Sequence, residues 1–177
     1  MQYRRADVKG GTYFFTVNLA ERNKTLLVDH VDKLREAFKK VKTKHPFNID
    51  AIVILPDHLH AIWTLPKNDL DFATRWGLIK ANYSRCIAKN ERINPSRQTK
   101  GERGIWQRRY WEHLIRDDID YQRHMDYVYY NPVKHSYVKN VIDWPYSSFH
   151  RDVEKGIYPA DWGEYEECEI DFGELGD

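Results

Sequence analysis

A predicted β-hairpin over Ile49–Leu65 is the feature that most constrains how this chain can fold. Two short apolar runs, Ile49–Leu55 and His58–Leu65, are separated only by Pro56-Asp57. Runs of this length that are rich in branched residues predict strands, and so short a connection predicts antiparallel pairing. His58 and His60 would then project from the same face of the second strand, because side chains alternate along a strand.

Two imidazoles on one face of a strand can grip a single divalent metal ion from a rigid support. A lone His-x-His pair is a weak signal, however, and satisfied core histidines are the simpler interpretation. The pair needs partners from elsewhere in the chain before it indicates chemistry.

The remaining patterns predict an α+β fold, in the order β-α-β-β-α-β-α. Its first six elements match a ferredoxin-like antiparallel sheet with packed helices, and a C-terminal helix follows. The predicted elements besides the hairpin are a strand over Thr12–Leu19, a helix over Asp29–Lys44 capped by Asp29, a helix from Asp69 or Asp71 through Ile87, a mobile loop over Asn90–Gly104, a strand over Ile105–Ile115, and a helix from Asp117 or Asp118 to Asn131 that Pro132 ends.

The last predicted helix carries the second chemical clue. Tyr127 and Asn131 are four residues apart and therefore share one helical face. They lie at the edge of its apolar stripe, where we expect them to look toward the sheet and keep some access to solvent. If this helix packs across the strand of His58 and His60, a phenol and an amide oxygen would face two imidazoles.

Such a set of groups suits phosphoryl transfer. A Mg²⁺ or Mn²⁺ ion held by His58, His60 and Asn131 would polarise a phosphodiester, and the Tyr127 hydroxyl would attack it. Each residue also has a structural interpretation, because tyrosines beside a core stripe usually pack and an Asn before a Pro often marks a helix end. Their joint occurrence favours the chemical interpretation.

Charge is unevenly distributed along the chain. Residues 159–177 carry eight acidic side chains and no Lys or Arg, so all 28 basic residues lie in residues 1–158, an excess of about nine. We therefore divide the chain into a domain, 1–158, and an acidic C-terminal tail, 159–177. A basic body indicates a polyanion as partner. The tail either solubilises the domain or covers a nucleic-acid surface, in which case truncation at Pro159 should tighten DNA binding.

Several classes of protein are disfavoured by composition. No apolar run approaches the roughly 20 residues of a membrane helix, the N-terminus lacks a signal-peptide core, and two cysteines do not make a disulfide framework. These observations predict a cytoplasmic protein, which would be nucleoid-associated if it binds DNA.

Three segments carry a resemblance to a known family. "LPDHLHAIWTLP", "WQRRYWEHLIRDDIDYQRHMDYVYYNPVKH" and "DWPYSSFHRDV" resemble the REP-associated tyrosine transposases, which belong to the His-hydrophobic-His endonuclease superfamily. The resemblance runs from about Tyr3 to Trp162. It implies a ferredoxin-like core and a divalent-metal-dependent activity that cuts and rejoins single strands of DNA. The implied substrates are repetitive extragenic palindromes, bound as imperfect hairpins with a flanking guide sequence.

The resemblance also implies roles for individual residues. His58 and His60 match the metal-binding pair, Tyr127 matches the nucleophile, and Asn131 stands where insertion-sequence relatives often have a glutamine as third ligand. Tyr129 and Tyr130 are alternative nucleophiles that point to other sides of the helix. The family's members are thought to act as monomers with the tyrosine in cis, whereas insertion-sequence relatives are dimers, and we expect a monomer here.

Candidate DNA contacts come from basic and aromatic residues. Phosphate contacts are expected from Arg4, Arg5, Lys9, Lys80, Arg85, Arg108 and Arg109. Stacking on unpaired bases is expected from Trp106, Tyr110 and Trp111. The alternative is that the aromatic residues form core and the basic residues a solvated face.

Two other functions remain open from sequence alone. A catalytically silent hairpin DNA-binding protein could keep this fold without the reaction. A metal-dependent phosphohydrolase of another kind would need more carboxylate or histidine ligands than the motifs supply.

Overall fold

The computed structural model of the chain describes residues 8–164. Arg4 and Arg5 of the predicted basic arm, and residues 165–177 of the acidic tail, lie outside this range. No helix among the described residues is both long and apolar enough to cross a bilayer.

A four-stranded antiparallel sheet forms the centre of the fold, with strand order β2-β3-β1-β4. Its strands are β1 (Thr12–Asn18), β2 (Asn48–Ile54), β3 (His58–Thr64) and β4 (Trp111–Leu114). The predicted hairpin is confirmed, because β2 and β3 pair directly and Leu55 N–H bonds His58 C=O at 2.8 Å across the Pro56-Asp57 turn. The strand order and crossovers are those of the predicted ferredoxin-like α+β fold.

Helices cover both faces of the sheet. They are α1 (Leu26–Asp29), α2 (Val31–Lys44), α3 (Phe72–Arg85), α4 (Pro95–Thr99), α5 (Asp118–Lys134) and α6 (Phe149–Glu154), with one 3₁₀ turn over Val141–Asp143. Helices α2 and α3 pack with Phe15, Ala61 and Trp63 on one face. Helices α5 and α6 pack with Phe14 and Ile62 on the other. This alternation of neighbouring strand residues between two cores is what the β period dictates.

Local signals place the helix starts of α3 and α5. The side chain of Asp71 accepts from Thr74 N–H, and that of Asp117 accepts from Asp120 N–H, so each acts as an N-cap. The cap predicted at Asp29 is wrong. Leu26–Asp29 forms its own turn, Asp29 accepts from the Thr25 hydroxyl, and α2 starts at Val31.

The last predicted strand is shorter than its sequence pattern indicated. Only Trp111–Leu114 of the predicted Ile105–Ile115 forms a ladder with β1, while Trp106 makes a single bridge to Leu19. Trp106 packs in the core against α3. Strand β4 pairs with residues 13–16 of β1, so the residues between Trp106 and Trp111 are not part of the ladder.

The segment Asn90–Gly104, predicted to be a mobile loop, is held by its own arginines. Arg103 donates to the carbonyls of Ser84 and Ile87 and pairs with Glu91, and this pairing lowers the pKa of Glu91 to about 2. The short helix α4 lies within the same segment. Each guanidinium offers several donors in a fixed fork, which suits the fixing of an irregular segment.

Helix α5 does not end at Pro132, which corrects a second boundary. It continues to Lys134, and the N–H of His135 bonds the carbonyl of Asn131 at 3.0 Å. Proline removes only the bond that its own N–H would donate to the carbonyl of Val128, and packing of α5 on the sheet outweighs that loss. The extra turn brings further side chains to the face that carries Tyr127.

Candidate active site

The two predicted metal-binding histidines begin β3 and lie beneath α5. Their ring centroids are 5.0 Å apart, and His60 is fully buried while His58 is nearly so. Their common face follows from the strand period, as predicted. A rigid central strand therefore supports both imidazoles.

Each histidine ring is oriented through its Nδ1 atom. Nδ1 of His58 lies 2.7 Å from a carboxylate oxygen of Asp57, and Nδ1 of His60 lies 2.8 Å from the hydroxyl of Thr16. Partners of this kind fix the ring and leave Nε2 as the ligating atom. Burial lowers the pKa of His58, and the hydrogen bond to Asp57 opposes this shift in part. Burial thus favours the neutral imidazole, which is the form that binds metal.

Tyr127 stands against the histidine pair in the same chain. Its ring centroid is 5.1 Å from that of His60 and 5.8 Å from that of Phe14. The ammonium of Lys134 lies 4.9 Å from the centre of the phenol ring and 3.5 Å from its oxygen. A cation at this distance stabilises negative charge on the phenol oxygen.

Asn131 lies one helical turn beyond Tyr127 and is fully buried. Within the described part of the chain, neither its amide oxygen nor its amide nitrogen has a hydrogen-bond partner. A buried amide without partners costs about 1–3 kcal/mol, and a bound ion or water is one way to satisfy it. One amide oxygen and two imidazole nitrogens are donors that a divalent cation accepts, so the donor types of His58, His60 and Asn131 are compatible with Mg²⁺ or Mn²⁺.

His135 is a further neighbour of the pair, beyond the predicted end of the helix. It follows Asn131 by four residues, and its ring centroid is 5.3 Å from that of His58. Tyr127, Asn131 and His135 thus form one line along α5, with Tyr127 opposite His60 and His135 opposite His58. The sequence has the i, i+4, i+8 spacing, but a helix that ends at Pro132 would not bring His135 onto the same face.

The expected solvent access of Tyr127 and Asn131 is wrong, because both side chains are 0% exposed. Phe14 packs beside Tyr127 from the sheet, and α5 continues past Asn131, so the edge of the predicted stripe lies inside the core. A phosphate can reach Tyr127 only after the groups that cover it move.

The two alternative tyrosines lie away from the histidines. The hydroxyl of Tyr129 donates to Asp152 of α6, and burial raises the pKa of this phenol above its usual range. The ring of Tyr130 lies near Trp162. Both residues connect α5 to the C-terminal elements.

A second group of potential metal ligands joins β4 to the start of α5. Ligand atoms of His113, Asp120 and His124 all lie within 4.8 Å of one another, so this triad could hold a metal ion. Its atoms already bond one another. Nε2 of His113 is 2.8 Å from one carboxylate oxygen of Asp120, and Nδ1 of His124 is 3.1 Å from the other.

Several of the predicted phosphate-binding residues line one open groove between α3 and the segment that follows it. We call this the basic groove; its volume is about 1260 Å³. Its cationic lining residues are Lys80, Arg85, Lys89, Arg97, Arg103 and Arg108, with Glu102 the acidic one. Lys9 and Arg109 are exposed but do not line it. The groove lies on the α3 side of the sheet, opposite the histidines.

Lys80 is the most perturbed cation of the basic groove. Its ammonium donates to the carbonyl of Gln107 at 3.1 Å and lies 5.1 Å from the ring centre of Tyr110. Burial, with a smaller contribution from Arg97, lowers the pKa of Lys80 to about 8.

The three aromatic residues expected to stack on bases have different surroundings. Trp106 and Tyr110 pack in the core on the α3 side. Trp111 is 45% exposed. Of the three, Trp111 therefore offers the most open ring.

Comparisons with known proteins found similar proteins over most of this chain. Residues 7–131 match the model of the family described as "Transposase IS200 like". A REP-associated tyrosine transposase of Escherichia coli K12 is 50% identical, over 91% of this chain and 90% of its own length. A protein of Haemophilus influenzae is 54% identical over 91% of this chain and 92% of its own.

A solved structure is also similar over nearly the whole chain. It is a REP-associated tyrosine transposase bound to a REP hairpin, with a TM-score of 0.79 and 50% identity, covering 92% of this chain and 90% of that one.

Proposed function

The chain belongs to the IS200-like transposase family, and from that premise we propose that it cuts and rejoins single-stranded DNA at palindromic hairpins through a phosphotyrosine on Tyr127. Members of the family are DNA-processing enzymes, and such transposases generally use a divalent metal ion. The nucleophile, the metal ligands and the joining step are our proposal for this chain.

One observation carries the proposal. Within a single chain, the Tyr127 ring lies 5.1 Å from the His60 ring, so nucleophile and candidate metal ligand meet in cis. The buried amide of Asn131, one turn away, supplies a third donor. No exchange of α5 between two copies is needed to complete such a site, which supports a monomer as the acting unit.

Cleavage by this site is a transesterification. The phenol of Tyr127 loses its proton, and its oxygen attacks the phosphorus of the scissile phosphodiester. A bond from the Tyr127 oxygen to phosphorus forms while the bond to one sugar oxygen breaks, and that oxygen takes up a proton to become a free hydroxyl. Rejoining reverses these steps when a strand hydroxyl attacks the phosphotyrosine, so no nucleotide cofactor is consumed.

The chain's own residues have distinct roles in this scheme. Lys134 stabilises the phenolate of Tyr127, since its ammonium lies 3.5 Å from the phenol oxygen. Asp57 and Thr16 hold the His58 and His60 rings through Nδ1. A Mg²⁺ or Mn²⁺ ion bound by His58, His60 and Asn131 would polarise the phosphate and stabilise its developing charge.

The proposed substrate is a hairpin with single-stranded flanks. The similar solved structure holds a REP hairpin, and the basic groove provides positive charge for a phosphate backbone. Contacts of this kind position DNA without reading its sequence. We propose that the groove binds the hairpin and that Tyr127 acts on a strand beside it.

A catalytically silent hairpin-binding protein is the second candidate. The observation in its favour is the complete burial of the Tyr127 side chain. Binding in the basic groove would survive such burial, whereas covalent chemistry would not unless α5 or its cover moves.

An adduct assay separates these functions. The protein is incubated with Mn²⁺ and an end-labelled single-stranded palindrome with its flanks, and covalent complexes are resolved under denaturing conditions. We expect an adduct with the wild type and with Tyr129→Phe, and none with Tyr127→Phe, while hairpin binding survives in all three. Binding without any adduct would support the silent protein, and cleavage without an adduct would support a hydrolase.

A further inference from the structure

Trp111 lies in the same row of the sheet as His60. In the antiparallel register Thr16 pairs with His60 on one side and with Trp111 on the other. Paired residues project from the same face, so Trp111 is on the α5 side of the sheet, as His60 and Thr16 are. Two strand spacings separate the Trp111 and His60 backbones, about 10 Å.

The exposure of Trp111 follows from its place at the sheet edge. Among residues 8–164, strand β4 pairs only with β1, and α5 packs over β2 and β3. His113, two residues on, is half-buried because its ring stacks on that of His124 in α5. Trp111 lies beyond that contact and remains 45% exposed, a large apolar surface beside the proposed site.

The chain segment before Trp111 connects the two sides of the sheet. Gln107 N–H bonds Asn18 C=O at the end of β1, and Arg108 lines the basic groove. Arg109 is exposed next to it. Residues 107–111 therefore run along the sheet edge from the groove to the face that carries His60.

We infer that the indole of Trp111 is a stacking platform for an unpaired base of the DNA strand, between the stem bound in the basic groove and the phosphate that Tyr127 attacks. This inference rests on the proposed function and names the part of the substrate that reaches the site. A flat aromatic face binds any base, so the platform positions the strand without reading its sequence. Arg109 beside it suits the phosphate of the same nucleotide.

A platform of this kind has a specific consequence. Removing the ring weakens binding of the single-stranded flank and leaves binding of the paired stem unchanged. Stacking of one base corresponds to roughly a fivefold to hundredfold change in affinity. Phenylalanine keeps a stacking face and should retain much of the effect.

The test uses hairpins with and without a short single-stranded flank, bound in the absence of metal to proteins that all carry Tyr127→Phe. Trp111→Ala should weaken binding of the flanked hairpin by about tenfold and leave the bare stem unaffected, whereas Trp111→Phe should weaken it much less. A 2-aminopurine placed successively along the flank should be quenched at one position, and Trp111→Ala should relieve that quenching. Ile157→Ala, at another exposed apolar residue, is the surface control.

Three results would overturn the inference. They are equal weakening of flanked and bare hairpins, equal losses with Phe and Ala, and no gain in affinity from the flank in the parent protein. Thermal unfolding of each variant checks that the edge strand is intact. The assay needs neither metal nor adduct, so failure of the proposed chemistry and failure of the platform are separate results.

Discussion

The two faces of the sheet differ in almost every physical property that matters for acting on DNA. On the α5 face, His58, His60, Tyr127 and Asn131 form what we call the histidine–tyrosine site, which is buried. On the α3 face, the basic groove is open and lined by six cations. The first region suits short-range chemistry, whereas the second suits long-range attraction to phosphates.

Because of this difference, we expect that binding and chemistry can be disturbed separately. Charges in an open groove attract phosphates through fields that salt screens, so the affinity for DNA should depend on salt and pH. The buried side chains of the histidine–tyrosine site act only at contact distance, so we expect them to respond to metal and to single-atom changes. The sheet between them carries Trp111 at its edge as the connection that we infer.

The largest effect should come from the histidine pair. His60→Gln removes an imidazole from the centre of the proposed metal site, and we expect adduct formation to fall roughly a hundredfold or more. Hairpin affinity should change less than twofold. The matched variant His113→Gln alters the other triad and should leave metal-dependent adduct formation largely intact. If His113→Gln is the more damaging change, the working metal is at that triad.

Asn131 should show opposite effects on activity and stability. Asn131→Leu removes the amide oxygen from the histidine–tyrosine site, so adduct formation should fall tenfold to a hundredfold. The same change removes a buried amide without partners, so the free energy of unfolding in EDTA and urea should rise by about 1 kcal/mol.

Asn82 is the control for that stability gain, because its amide donates to the carbonyl of Leu78 at 2.9 Å. Asn82→Leu should not stabilise the protein. A destabilised Asn131→Leu variant would mean that the amide has a structural role in the metal-free protein.

The basic groove should control affinity alone. Arg85→Ala combined with Lys89→Ala removes two exposed charges from its lining. Hairpin affinity should fall about tenfold at moderate salt, and the slope of its logarithm against log salt should become shallower by about two. Cleavage rates at saturating DNA should be unchanged. Lys39→Ala with Lys40→Ala, on the outer side of α2, removes equal charge elsewhere and should change affinity far less.

Lys80 should give the groove a smaller dependence on pH. Because burial lowers its pKa to about 8, Lys80 is charged below that pH and loses its charge as pH rises through it. Between pH 7 and pH 9 the salt slope of hairpin binding should therefore become shallower by up to one unit. Lys80→Arg stays charged throughout, so its slope should be constant. The same pH response in both proteins would assign it to another group.

The acidic tail should have the smallest effect. Trp162 packs against Phe149 and Tyr158, so a truncation that begins after Glu164 tests the tail better than one at Pro159. It removes six of the eight tail carboxylates, and hairpin affinity should rise by a factor of about two to five at low salt. Unchanged affinity would leave the tail as a solubilising segment.

The fold was predictable where the spacing of apolar residues in the sequence matches the face that each strand or helix buries. The Pro56-Asp57 hairpin and the ferredoxin-like order follow from local signals that the sheet reinforces. The helix starts were predicted only to within a pair of aspartates, of which Asp71 and Asp117 are the caps. The extent of β4 was not predictable, because Trp106 and Trp111 have equal strand propensity but pack on opposite sides of the sheet.

Part of the candidate site could not be predicted because α5 continues past Pro132, where packing on the sheet outweighs the effect of the proline. A proline usually ends a helix, so the sequence predicts an end at Asn131, short of Lys134 and His135. Burial was also misjudged, because the apolar stripe of α5 does not reveal that Phe14 packs beside Tyr127. Spacing did predict that His58 and His60 share one face of a strand, but not that the helix of Tyr127 would pack across that face.

Peptide mapping of the covalent complex tests the central claim most directly. The protein is reacted with Mn²⁺ and a flanked hairpin, digested with protease and nuclease, and the modified peptide is sequenced by mass spectrometry. We expect a nucleotide on Tyr127, and none when EDTA is present. A nucleotide on Tyr129 or Tyr130, or DNA cleavage that leaves every tyrosine unmodified, would contradict it.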